Sequence, residues 1–256
     1  MRLNRHILSI GLLATTLCYG VDIANYKEAV NIAGKQRMFS QRMLKDYAMV
    51  GMGNTFGDPV KDLKDIVAQF DDAQASLIKF AKSDETKKSL ESVNKLWNDV
   101  KKELEQSPKK EDVQNLQVKL DELLKLTNEA TQAFVKESGS SSSEIVNIAG
   151  RQRMLSQRMA GLYMLQVWGV QDHTFKDKLD ESMTLFSTSL EKLEKYDNNS
   201  EEIKKILTKV ARSYKFFEMM SKSTQRFIPS LIYKKSNDIL HDMNEATIKY
   251  TQLKTK

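Results

Sequence analysis

The chain has 256 residues, a formal charge of +6 and one cysteine, and its length allows one large domain or two of ordinary size. Cys18 lies in the N-terminal segment, so disulfides, thiol catalysis and cysteine-bound metal are excluded for everything after it. The lysines are scattered among glutamates and aspartates rather than gathered in basic blocks. That is solvated helix surface, and it argues against a nucleic-acid partner.

Taken in chain order, the first element is an export signal. Arg2, Arg5 and His6 precede an apolar run from Ile7 to Leu17, which is shorter than the roughly 20 residues a membrane span needs. Cys18-Tyr19-Gly20 then supplies small residues for cleavage after about Gly20, which predicts a secretory signal over residues 1–20. Retention as an uncleaved anchor is the alternative. Cleavage removes Arg2 and Arg5 and leaves 38 basic against 34 acidic side chains.

Beyond that point the chain reads as all-α. It contains three prolines and ten glycines, is dominated by good helix formers, and shows no period-two alternation. Helix one is expected from Ile23 to about Met52, followed by a loop at 53–57. Pro59 suits a first helical position, and helix two then reaches about Lys82. Ser83 is expected to cap helix three. Ser107-Pro108 reads as the start of helix four, which ends near Glu137. Ser138-Gly-Ser-Ser-Ser-Ser143 has the composition of a flexible linker. After it, Ser143, Thr174 and Ser200 are the expected caps of the next three helices. Pro229 lies near the last helix boundary without aligning to Pro108.

These elements are two copies of one unit. Asn31-Ile-Ala-Gly-Lys-Gln-Arg-Met-Phe-Ser-Gln-Arg-Met43 returns as Asn147-Ile-Ala-Gly-Arg-Gln-Arg-Met-Leu-Ser-Gln-Arg-Met159, identical at eleven of thirteen positions and offset by 116. Asn128-Glu-Ala-Thr131 returns at the same offset as Asn244-Glu-Ala-Thr247. Trp97 and Tyr214 match at 117. A repeat of this length is a whole domain. The expected fold is therefore two tandem antiparallel four-helix bundles, at 21–137 and 144–256, joined by the linker at 138–143.

On a helix of 100° per residue, Ile32, Gln36, Phe39, Met43 and Val50 form one stripe and face the copy's own core. Gly34, Arg37, Met38 and Gln41 fall on the opposite stripe, as do Gly150, Arg153, Met154 and Gln157 in the second copy. A mid-helix glycine costs about 1 kcal/mol relative to alanine, so a close approach is expected there. An arginine beside it presents a fork of donors suited to an oxyanion. Arg42 and Arg158 are further candidates, with ordinary ion pairing as the alternative.

The doubled motif resembles the signature of the type IV pili methyl-accepting chemotaxis transducer N-terminal domain (the PilJ type). It is also similar to the P-box of nitrate/nitrite sensor kinases of the NarX and NarQ kind, with its Gly-x-x-Arg-Met core. The resemblance implies a periplasmic four-helix sensor domain in which P-box arginines of two first helices clasp one anion. Carried over, the matching residues are Gly34, Arg37 and Met38, with Gly150, Arg153 and Met154. Because this chain carries two such helices, the expectation is an intramolecular pseudo-dimer binding nitrate or nitrite, with pairing between chains of a homodimer as the alternative. The six linker residues span about 20 Å when extended, enough for such a return. Those relatives continue into a membrane helix and signalling modules. This sequence shows neither, so an accessory to a membrane-bound chemoreceptor or sensor kinase is expected.

The rival expectation is a protein-interaction module whose outward stripes dock on a receptor without a small ligand. An enzyme is not expected. His173 and His241 are the only histidines after the signal, Asp238-x-x-His241 is a lone echo of a bundle metal motif, and no nucleophile–base pairing or phosphate loop is visible. No cofactor or metal is expected. Trp97 and Trp168 read as core or helix-interface residues.

Overall fold

A computed structural model describes residues 22–221 and 228–253. The predicted signal segment, with Cys18, lies outside the described residues. Eight helices follow one another among those described: α1 Tyr26–Gly51, α2 Pro59–Phe80, α3 Asp84–Leu104, α4 Val113–Ser138, α5 Ser141–Val167, α6 Phe175–Glu194, α7 Glu201–Ser221 and α8 Pro229–Gln252. None of them is long and apolar enough to cross a membrane.

Each group of four closes into an antiparallel bundle. In the first, α1 packs between α2 and α4, and α3 packs on α4. In the second, α5 packs between α6 and α8, and α7 packs on α8. The two cores are built alike. Phe70 stacks on Trp97 at 4.1 Å between ring centroids, and Phe186 stacks on Tyr214 at 4.5 Å. These are the pairs that the 116- and 117-residue offsets align. Trp97 is thus a core residue. Trp168 sits between the copies, edge-on to Tyr47.

The two bundles join along α1 and α5, which lie side by side and parallel. This changes the character of both helices. From Ala29 to Met49 only Lys35 and Arg42 retain partial exposure, although the run includes Asn31, Gln36, Arg37, Gln41, Lys45 and Asp46. One stripe meets the copy's own core, as its apolar period requires. The other stripe is covered by the opposite copy, as expected of an intramolecular pseudo-dimer.

Three boundaries differ from the sequence expectation. The Ser-rich stretch is not a flexible linker. α4 runs through Ser138, Gly139 ends it in a left-handed conformation, and Ser140 caps α5, so Ser143 is helical and buried rather than a cap. Serine costs a helix only tenths of a kcal/mol, and burial of the apolar side chains that follow, Ile145, Val146 and Ala149, outweighs that. α4 starts at Val113 rather than Pro108, and ahead of it the backbone N–H of Lys109 donates to the Tyr47 hydroxyl at 3.1 Å. α1 starts at Tyr26 rather than Ile23, capped by Asn25, whose side chain accepts from the N–H of Glu28.

Ser83 performs the expected capping and more. Its Oγ accepts from the Thr86 N–H at 3.1 Å, and both hydroxyls reach Glu137 near the end of α4. Ser83→Ala is expected to cost about 1–2 kcal/mol in urea unfolding, with the native helicity kept at low denaturant.

Candidate functional site

In the N-terminal part of the seam, Gly34 of α1 and Gly150 of α5 lie against the two arginines. A Cβ on Gly34 would lie 3.2 Å from Arg37 Nη2 and 3.3 Å from Arg153 Nη2. On Gly150 it would lie 3.1 Å from Arg153 Nη2 and 3.4 Å from Arg37 Nη2. The glycines therefore make the space into which both guanidiniums fold. Helical side chains lean toward the N-terminus, so each arginine reaches back over the glycine one turn before it.

Each guanidinium is held in the same way on the two sides of a pseudo-twofold axis. Arg37 Nη1 donates to Asn128 Oδ1 of α4 at 2.8 Å, and Arg153 Nη1 donates to Asn244 Oδ1 of α8 at 3.0 Å. Arg37 Nη2 donates to the main-chain carbonyl of Asn147 at 3.3 Å, and Arg153 Nη2 to that of Asn31 at 3.2 Å. The second set crosses between the copies. Each Nε has no hydrogen-bond partner, and neither do the Oδ1 atoms of Asn31 and Asn147.

Both arginines are buried, at 1% and 0% exposure, and among the described residues neither is ion-paired to a carboxylate. Burial pushes Arg37 down to about 9, with Arg151 and Arg153 adding to it, and burial alone brings Arg153 to about 9. Lys35 is lowered as well, first by burial and then by Arg153. This part of the seam is thus a region of uncompensated positive charge. Beside it a cleft of about 710 Å³ opens between α1, α2 and α8, lined by Asn31, Lys35, Gln69, Asp72, Ser76 and Thr251 among others.

The structure brings together Gly34, Arg37, Gly150 and Arg153. Met38 and Met154 are buried core residues adjoining them in sequence. Gln41 and Gln157 lie one turn further along and bridge the copies instead. Gln41 Oε1 accepts from Arg158 at 3.0 Å, and Gln157 Oε1 accepts from Lys45 Nζ at 2.8 Å. Arg42 and Arg158 stand apart from the arginine pair. Arg42 forms a two-pronged pair with Asp62 of α2, and Arg158 pairs with Asp121 of α4 at 2.5 Å. Five residues place Arg42 about 140° around the helix from Arg37, toward α2 rather than the seam.

Three features escape a reading of the motif alone. Asn128 and Asn244 complete the arginine site, and their signal was the Asn-Glu-Ala-Thr repeat at the same 116-residue offset. Main-chain carbonyls have no sequence signal. The third is a charged cluster where the copies differ. Lys45 Nζ is fully buried between Gln157 and Asn237, each at 2.8 Å, and lies 4.1 Å from the Tyr233 ring centroid. Burial lowers it to about 8, and burial raises the adjacent Asp46 carboxyl well above the usual range. The second copy has Gly161 and Leu162 at these positions.

Fold and site together define a tandem helical-bundle module with an arginine pair sealed in its internal seam. Among the described residues there is no cluster of metal-ligating side chains. The chain belongs to the PilJ family, type IV pili methyl-accepting chemotaxis transducer N-term, which matches it over residues 24–123 and 134–218. The two stretches correspond to the two copies and make the chain a sensory-system module. No curated protein and no solved structure matches it.

Proposed function

We propose that this chain is a periplasmic sensor-type binding protein that takes one small oxyanion, nitrate or nitrite, between α1 and α5. On this reading it serves as an accessory to a membrane-bound chemoreceptor or sensor kinase. One observation carries the proposal: two guanidiniums are buried together on a pseudo-twofold axis with no carboxylate to offset them. Uncompensated buried charge is expensive, and a chain that keeps two such charges has an anion to receive. A planar trigonal oxyanion accepts from both forks at once.

The site also carries a route from binding to shape. Each Nη2 donates to a carbonyl of the opposite copy. An anion on the axis competes for those donors and removes the mutual repulsion of the guanidiniums. Binding is then coupled to the packing of α1 against α5, which is the differential interaction that a conformational signal requires. The rival reading, in which the arginine-bearing stripes dock on a receptor, finds those stripes already buried against each other. A receptor would have to engage another face.

Titration calorimetry with sodium nitrate and sodium nitrite, in chloride-matched buffer, tests the proposal. Saturable binding of one anion per chain is expected. Affinity should fall at least about 100-fold in Arg37→Met/Arg153→Met, since two charge-assisted contacts are lost. Absence of heat with both anions, or unchanged binding in the double variant, would overturn it.

A further inference from the structure

We infer that Asn128 and Asn244 are positioning residues that aim Arg37 and Arg153 at the axis while leaving their charge unneutralised. The inference rests on the anion reading of the site. Each asparagine contributes its Oδ1 to the Nη1 of one guanidinium, at 2.8 and 3.0 Å. The contact fixes the plane of the fork and turns Nη2 toward the glycines and the opposite helix.

A carboxylate is the partner that a buried arginine ordinarily demands. Aspartate matches asparagine in shape and would fit at both positions. Each site is partly exposed, so a charge there costs little desolvation. The chain nevertheless uses the neutral amide twice, at positions related by the 116-residue repeat. The carboxylates closest in sequence, Glu129 and Glu245, are exposed and about 100° further around their helices. Negative charge is available on α4 and α8 but is kept off the arginines. An acid at 128 or 244 would satisfy the guanidinium permanently and leave an incoming anion with little to neutralise.

The test is Asn128→Asp/Asn244→Asp in the full chain, read by thermal unfolding and by nitrate and nitrite titration. The two readouts should move in opposite directions. The midpoint without anion should rise by several degrees, and affinity should fall at least about tenfold. A merely structural asparagine would move stability and binding together. Glu129→Gln/Glu245→Gln is the control and should change neither. Wild-type affinity retained in the aspartate variant overturns this inference alone, as does a variant that is destabilised or fails to fold. A wild-type protein that binds neither anion sinks the anion reading along with it.

Discussion

Replacing Arg37 and Arg153 together by methionine should make the fold more stable, by about 2–4 kcal/mol, while removing its affinity for oxyanions. The sign follows from what the guanidiniums gain and lose in the seam. Each is taken fully out of water, and burial holds both at about 9. No carboxylate repays that desolvation, and the two like charges face each other. Removal also leaves few orphans. Asn128 and Asn244 are partly exposed and can turn to water. The carbonyls of Asn31 and Asn147 already accept helical hydrogen bonds within α1 and α5. Methionine is flexible enough to fill the vacated volume.

The pH dependence has a definite sign. Both arginines are charged at neutral pH, folded or unfolded, and the penalty is then fully present. A basic group whose folded value lies below its unfolded one sheds its proton first in the native state. The wild type therefore gains relative to the variant as pH rises through about 9. Urea unfolding of both proteins at pH 7 and pH 9.5 measures this. The gap should be wide at pH 7 and narrower at pH 9.5. A less stable variant at pH 7 would mean that the arginines brace the seam rather than burden it.

The sequence made the central helix legible in two stages. The apolar period of Ile32, Phe39 and Met43 identified the inner stripe. A second stripe just as well preserved between the copies, with a glycine that no helix wants, announced a close contact. What covered that stripe was not local to α1, since α1–α5 packing joins residues about 116 apart; the resemblance and the doubled motif together implied the in-chain partner that the structure shows. The role of Asn128 was hidden for the same reason, because nothing local to α4 says that its neighbour is Arg37. Arg42 and Arg158 stood between a ligand role and ordinary ion pairing because one chain's motif cannot show what lies beside it, and both are found in ion pairs, with Asp62 and Asp121. Composition misled at the Ser-rich stretch, where tertiary burial overrode a loop-like signature. It misled again at Pro108, where α4 begins only at Val113.

The symmetry between the copies fails where Lys45 of α1 corresponds to Gly161 of α5, and this predicts opposite effects for two substitutions at one position. A Cβ on Gly161 would lie 3.5 Å from Gln41 O and 3.5 Å from Lys45 N, which is ordinary contact with the α1 backbone. Gly161→Ala should therefore be tolerated, and should stabilise by up to about 1 kcal/mol through helix propensity. Gly161→Leu should destabilise by about 3 kcal/mol, because its outer carbons meet main chain and the seam must part. The rest of that turn is filled. Lys45 is buried against Gln157, Asn237 and Tyr233, and Arg158 crosses to Gln41 and Asp121. In a dimer of identical subunits both positions would carry the same residue. Two lysines would crowd the axis, and two glycines would leave it empty. Placing both helices in one chain allows a large residue to face a small one. Thermal unfolding of the two variants checks the prediction. Equal effects from Ala and Leu would show that α5 does not approach α1 closely at this turn.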